Sequence, residues 1–208
     1  MHTRQALETL PLDLAYLALL TRYGLKPLSR WEGPLAPAQL DALNALGLET
    51  AGLERRTVFG RPLPRVVMAR RRARIDAWVR RFDGRKLEHS PRVTRLEGRF
   101  FGYPSCCVER FVARPYEENG LAGADRRILF HWACPGCAST ASLLREYRRI
   151  HREAAAAAAP NAAPAMTGRR LRAAAPWAAG IAAAAIVAPA LATFPDPHAA
   201  LPAPDDFD

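Results

Sequence analysis

A chain of 208 residues has room for one modest domain and some additional segments, and its four cysteines are too sparse for a disulfide-stapled scaffold. Half of the residues are apolar, but Ala inflates that share and only 8% are aromatic. All 30 Lys and Arg precede residue 173, together with 16 of the 20 acidic residues, so residues 1–172 carry +14 and the remainder −4. Such asymmetry points to contact with nucleic acid or a membrane surface; the 28 Arg against 2 Lys also fit GC-rich coding.

The first apolar run, residues 10–20, lacks a strongly basic leader, contains Asp13 and offers no small-residue cleavage site, so it does not read as a secretory signal. Leu12, Tyr16, Leu19 and Leu20 recur at helical spacing and predict a helix over 12–23, stopped by Gly24. Pro27, Pro34 and Pro37 punctuate the next stretch of chain. Pro37 suits the first turn of a second helix carrying Leu40, Leu43 and Leu46 and ending at Gly47. Residues 48–70 read as β structure. Thr57-Val58-Phe59 and Arg65-Val66-Val67-Met68 are the strand candidates, separated by Gly60-Arg61-Pro62.

Ile75, Trp78, Val79 and Phe82 make the stripe of a third helix over 72–82, with Gly84 behind it. Arg70, Arg71, Arg72, Arg74, Arg80, Arg81, Arg85 and Lys86 crowd around it. They read either as a solvated face or as a contact for anionic lipid headgroups or RNA. No nucleic-acid motif accompanies them, so lipid or no partner ranks above RNA.

Residues 93–101 predict a further strand leading into Gly102-Tyr103-Pro104. Ser105 suits the N-cap of a helix reaching Val112, with Val108, Phe111 and Val112 inward. A loop over 117–125 and the apolar Ile128-Leu129-Phe130 bring the chain to His131. Ser139 can cap a long helix whose stripe is Leu143, Leu144, Tyr147 and Ile150 and whose wet side is Arg145, Arg148, Arg149 and Arg152. Six alanines, 154–159, extend it toward Pro160.

A linker then leads through Arg169-Arg170-Leu171-Arg172 to 22 uncharged residues, 173–194. As a helix these would reach ~33 Å at about 1.5 Å per residue, enough to cross a bilayer. Pro176, Gly180 and Pro189 are tolerable there, and Trp177 and Phe194 fit the interfaces. Basic residues before the run and acidic ones after it put the N-terminal side in the cytoplasm. Two other readings are low-complexity Ala/Pro sequence and a signal-like segment with Ala190-Leu191-Ala192 at its end. The tail, with Pro195, Pro197, Pro202 and Pro204, is too short and polar to fold.

All four cysteines lie within 32 positions. Cys134-Pro135-Gly136-Cys137 is a C-x-x-C pair, and a tight turn lets both sulfurs grip one ion. His131 extends it to H-x-x-C-x-x-C. Cys106-Cys107, with 26 residues between Cys107 and Cys134, is the obvious second donor pair. Consecutive helical side chains diverge, so both sulfurs reach one ion only through a non-helical turn, and the easier arrangement is one ligand and one spare thiol at a helix N-terminus. The ligand set is therefore four cysteines, or three with His131, around zinc or, as the alternative, an iron–sulfur cluster. Glu109, Glu146 and His151 are candidates for supporting groups or plain surface residues.

The stretch Phe101-Gly102-Tyr103-Pro104-Ser105-Cys106-Cys107-Val108-Glu109-Arg110-Phe111 resembles the G-Y-P-x-C-C-V-x-x-F signature of an uncharacterised prokaryotic family, domain of unknown function 483. The resemblance covers residues 95–150 and brings no assigned activity with it. The uncharged run and acidic tail are not part of that signature.

The expected fold is α+β: a small helical domain with a short β-sheet and a cysteine cluster, followed by one C-terminal transmembrane helix. The expected divisions are a cytoplasmic domain over 1–153, a linker over 154–172, a span over 173–194 and an acidic tail over 195–208. Three functions stay open. One is a metal-binding domain anchored in the inner, cytoplasmic membrane, with a soluble cytoplasmic protein as the alternative location. Another is a thiol–disulfide oxidoreductase using Cys134 and Cys137 or Cys106 and Cys107. The third is a metal- or cluster-dependent enzyme of open substrate. No phosphate loop, nucleophile elbow or paired catalytic carboxylates are present, and protein partners are not legible.

Overall fold

The computed structural model describes residues 3–158, which lie in the first of two units, Met1–Thr167. The expected linker beyond 158, the span at 173–194 and the acidic tail lie outside the described residues. Among the described residues, no helix is long and apolar enough to cross a membrane. The architecture is α+β, with helices around a three-stranded sheet.

Helices α1 (Thr3–Glu8) and α2 (Leu12–Arg22) open the chain, and strand β1 (Leu28–Glu32) comes next. Helix α3 (Pro37–Ala45) leads into β2 (Glu49–Arg56) and β3 (Pro62–Ala69). β3 is central and antiparallel to both neighbours, with Leu28 opposite Ala69 and Glu49 opposite Ala69 on its other side. Pro62 and Pro64 occupy the part of β3 that runs past the end of β1, where a missing N–H is tolerated on the unpaired side. Thr57, Val58 and Phe59 are not a strand. They form the tip of the β2–β3 hairpin, with Gly60 N–H bonded back to the Thr57 carbonyl at 2.9 Å. Their β propensity yields because Gly60 and Pro62 turn the chain there, and Val58 and Phe59 are left 61% and 89% exposed.

The second half is helical: α4 (Arg72–Phe82), α5 (Pro91–Phe100), α6 (Ser105–Ala113), α7 (Gly123–Ile128) and α8 (Ala138–Ala158). Residues 93–101, expected as a strand, are almost wholly α5. Ser90 caps it, its Oγ accepting from Val93 N–H at 3.4 Å, and Pro91 sits in the first turn. Val93, Leu96 and Phe100 then share one apolar stripe. Ser105 is the first residue of α6; Pro104 holds the cap position.

Alternation along β3 builds a core on each face of the sheet. Met68 joins the side packed by α1, α2, α3 and α8. Val67 and Ala69 join the side centred on Trp78 of α4, with Phe82, Phe100 and Phe101. α2 is buried nearly all round, so its apolar pattern is broader than one stripe. Tyr16 of α2 donates to the Ile128 carbonyl at 2.8 Å, fixing the end of α7 just ahead of His131.

Candidate metal centre

Two short segments carry the sulfurs, and each is set by a turn. Gly102 has φ +69°, and a Cβ there would lie 2.5 Å from Cδ of Pro27. Only glycine allows this contact between the turn and the Leu25-Lys26-Pro27 loop. Pro104 then starts α6, which puts Cys106 and Cys107 in its first turn. The second segment is Cys134-Pro135-Gly136-Cys137. Gly136 takes φ +63° and Cys137 N–H bonds to the Cys134 carbonyl at 3.2 Å.

Folding brings the four sulfurs within 4.8 Å of one another. Cys137 Sγ lies 3.3 Å from Cys107 Sγ and 3.6 Å from Cys106 Sγ, and Cys107 Sγ lies 3.8 Å from Cys134 Sγ. Four sulfurs at about 2.3 Å around one ion form a tetrahedron with edges of about 3.8 Å. The observed spacing fits that shape. Cys106 and Cys107 both face the group, although they are consecutive in a helix. The C-x-x-C loop lies across the end of α6, so it meets both side chains as they fan apart, and neither stands aside as a spare thiol.

Cys137 does more than supply a sulfur. It immediately precedes α8, its carbonyl accepts from Ala141 N–H, and its Sγ accepts from Thr140 N–H at 3.3 Å. It thereby fills the N-cap role expected of Ser139, which lies inside the first turn of α8. The positive ends of α6 and α8 both meet at the sulfurs, and each favours thiolate.

The thiols do not ionise alike. Burial opposes charge on Cys137, but hydrogen bonds from Thr140, Cys107 and Cys106 outweigh it and bring its pKa down to about 6. Burial and shared hydrogen bonds with Cys137 and Cys107 push Cys134 up to about 12. Burial likewise raises Cys107. Ionisation of the group is thus most favoured at Cys137, at the base of α8, where Thr140 and the neighbouring thiols hydrogen-bond to its sulfur.

His131 stands behind this group. Its Nε2 lies 2.9 Å from Thr140 Oγ1, which in turn lies 3.5 Å from Cys107 Sγ. Burial, then the charge of Lys26, brings its pKa down to about 4, so it is neutral at ordinary pH. Its Nδ1 is buried without a partner among the described residues. The three supporting candidates are occupied elsewhere: Glu109 pairs with Arg95, Glu146 with Arg149, and His151 packs edge-on to Tyr16.

Two residues at the site were not singled out by the sequence. Thr140 links His131 to the sulfurs. Lys26 is 2% exposed, with Nζ 4.5 Å from the centre of the Tyr103 ring and 5.3 Å from those of Phe101 and Phe130. Nζ donates to the Phe101 carbonyl at 3.4 Å, and burial, with Arg30 nearby, pulls its pKa down to about 7. The Tyr103 ring also packs 5.4 Å from His131. Comparison of the chain with protein-family models, curated proteins and solved structures finds no match.

Proposed function

We propose that the protein is a membrane-anchored zinc-binding protein in which Cys106, Cys107, Cys134 and Cys137 hold one ion. The mutual approach of four sulfurs from two distant segments carries this reading. A multinuclear iron–sulfur cluster places several metal atoms among its thiolates and favours wider spacing. With sulfur at all four positions no coordination site is left open, which favours a structural role over a hydrolytic one. Zinc would supply charge neutralisation and a cross-link; His131 and Thr140 would orient the sulfurs from behind.

The anchor rests on the uncharged run at 173–194 with its basic and acidic flanks. The exposed Arg70, Arg71, Arg72, Arg80 and Arg81 on and beside α4 support a contact with anionic headgroups.

Metal content and the visible spectrum of full-length protein purified without chelator test the centre. The expected result is one zinc per chain and no visible absorption, with zinc lost in Cys107→Ser and Cys134→Ser. Stoichiometric iron with visible absorption would replace zinc in the reading, and protein free of either metal would end it. Retention in membranes through an alkaline carbonate wash checks the anchor.

A second reading, a thiol–disulfide oxidoreductase, is favoured by the Cys107–Cys137 approach of 3.3 Å and the lowered pKa of Cys137. Reductase activity that disappears in Cys137→Ser would support it.

A further inference from the structure

A second concentration of buried charge lies away from the sulfurs, on the sheet. Arg30 of β1, Arg55 of β2 and Arg65 of β3 share the face that carries Leu28, Leu53 and Val67, by the two-residue alternation of strands. Near Trp78 that face is apolar. Farther along, the three arginines meet Glu97 of α5 and Glu32 of β1. Their side chains are 14%, 1% and 7% exposed in that order.

Two carboxylates serve all three guanidiniums, and each does so through one oxygen. Glu32 Oε1 accepts from Arg30 Nε at 3.0 Å and from Arg65 Nη1. Glu97 Oε1 accepts from Arg55 Nη1 at 2.7 Å and lies 3.6 Å from Arg30 Nη1. Arg55 also donates to the Lys86 carbonyl at 3.2 Å. The Phe82 and Phe101 rings face Arg55 and Arg30 at 4.8 Å and 5.2 Å.

This arrangement does not balance. Three positive charges face two negative ones. Donors do not balance either. Arg30 Nη1, Arg55 Nε and Arg65 Nε are buried without a hydrogen-bond partner. Burying an uncompensated charge together with unpaired donors is costly, and an anion would relieve both deficits at once. Guanidinium groups pair with oxyanions through forked hydrogen bonds. The group comes from three different strands, which suits a tetrahedral anion better than a flat carboxylate. Arg30 is the least buried of the three, and Glu32 and Glu97 beside it are 32% and 24% exposed, so solvent reaches the cluster there.

We propose that Arg30, Arg55 and Arg65 form a binding site for a small oxyanion of the phosphate class, entered beside Arg30. The site is independent of the metal at the cysteines.

Equilibrium dialysis of the full-length protein against radiolabelled inorganic phosphate, at constant ionic strength in chloride, tests it. Wild-type protein is expected to bind about one phosphate per chain saturably, as one such cluster implies. Arg30→Gln should abolish binding. Arg30→Lys keeps the charge but loses the fork, and should weaken binding at least about fivefold. Glu32→Gln removes a competing negative charge and should tighten it. Thermal unfolding read by Trp fluorescence establishes that each variant is folded, so a loss of binding is not a loss of structure. Absence of saturable binding in wild type, or equal binding in wild type and both folded Arg30 variants, would overturn the proposal and leave the arginines as a closed structural network.

Discussion

Gly102 is the position at which a single methyl group should matter most. A side chain there meets a left-handed backbone and Cδ of Pro27 at 2.5 Å together. Gly102→Ala is therefore expected to cost on the order of 3 kcal/mol, read from denaturant midpoints; a change under about 0.5 kcal/mol, the ordinary surface range, would mean that the Pro27 loop yields freely. At this scale the sequence showed the four cysteines plainly, because thiols this close in a chain with no others are rarely plain core residues. It left the roles around them open. His131 sits at metal-ligand spacing, but its ring nitrogen is engaged by Thr140. Thr140 itself had no signal, since a hydroxyl near a helix start is common. Lys26 did have one: it is one of 2 lysines in a chain that elsewhere uses 28 arginines.

At the scale of elements, the N-termini of α6 and α8 set the chemistry. They favour ionisation at Cys137, while burial helps Cys107 and Cys134 keep their protons. A metal that takes all four sulfurs must displace at least those two protons. Each displaced proton adds a factor of about ten in affinity per pH unit, so zinc affinity should rise about a hundredfold or more per unit between pH 6.5 and 8. Competition with a chromogenic chelator across that range measures the slope; a flat profile would show that the thiols are already ionised. α2, α3, α4 and α8 were legible because each has a long apolar pattern and a clear stop. α5 reads as a strand because Val93, Thr94, Phe100 and Phe101 favour strands, although Ser90-Pro91 carries the marks of a helix start. Gly98 in its interior looks like a breaker; it is where Val108 of α6 packs, 2.5 Å from the place a Cβ would take. That contact belongs to the packing of two helices and leaves no mark in either one's periodicity.

For the whole molecule, the sulfurs join points 27 to 31 residues apart in the chain. A cross-link closing a loop of that size is worth roughly 3–4 kcal/mol, most of it through the unfolded chain. For a domain of this length each kcal/mol moves the melting temperature by about 2–4 °C. Removing the metal is therefore expected to lower the midpoint by about 10 °C, which calorimetry with and without chelator would read, and an unchanged midpoint would argue against a structural ion. The α+β class followed from the order of patterns along the chain. Strand order did not, because the placement of β3 between β1 and β2 depends on contacts distant in sequence.

The enclosure of Lys26 makes the chain its own reporter. Lys86, the other lysine, is exposed. An amine-directed reagent applied to the native protein should therefore tag the Lys86 side chain at once and the Lys26 side chain only when the aromatic box opens. Mass spectrometry of the two peptides over time would give an opening rate for the segment that abuts Gly102, without any engineered label, and comparing that clock with and without metal would show whether the sulfurs hold the box shut.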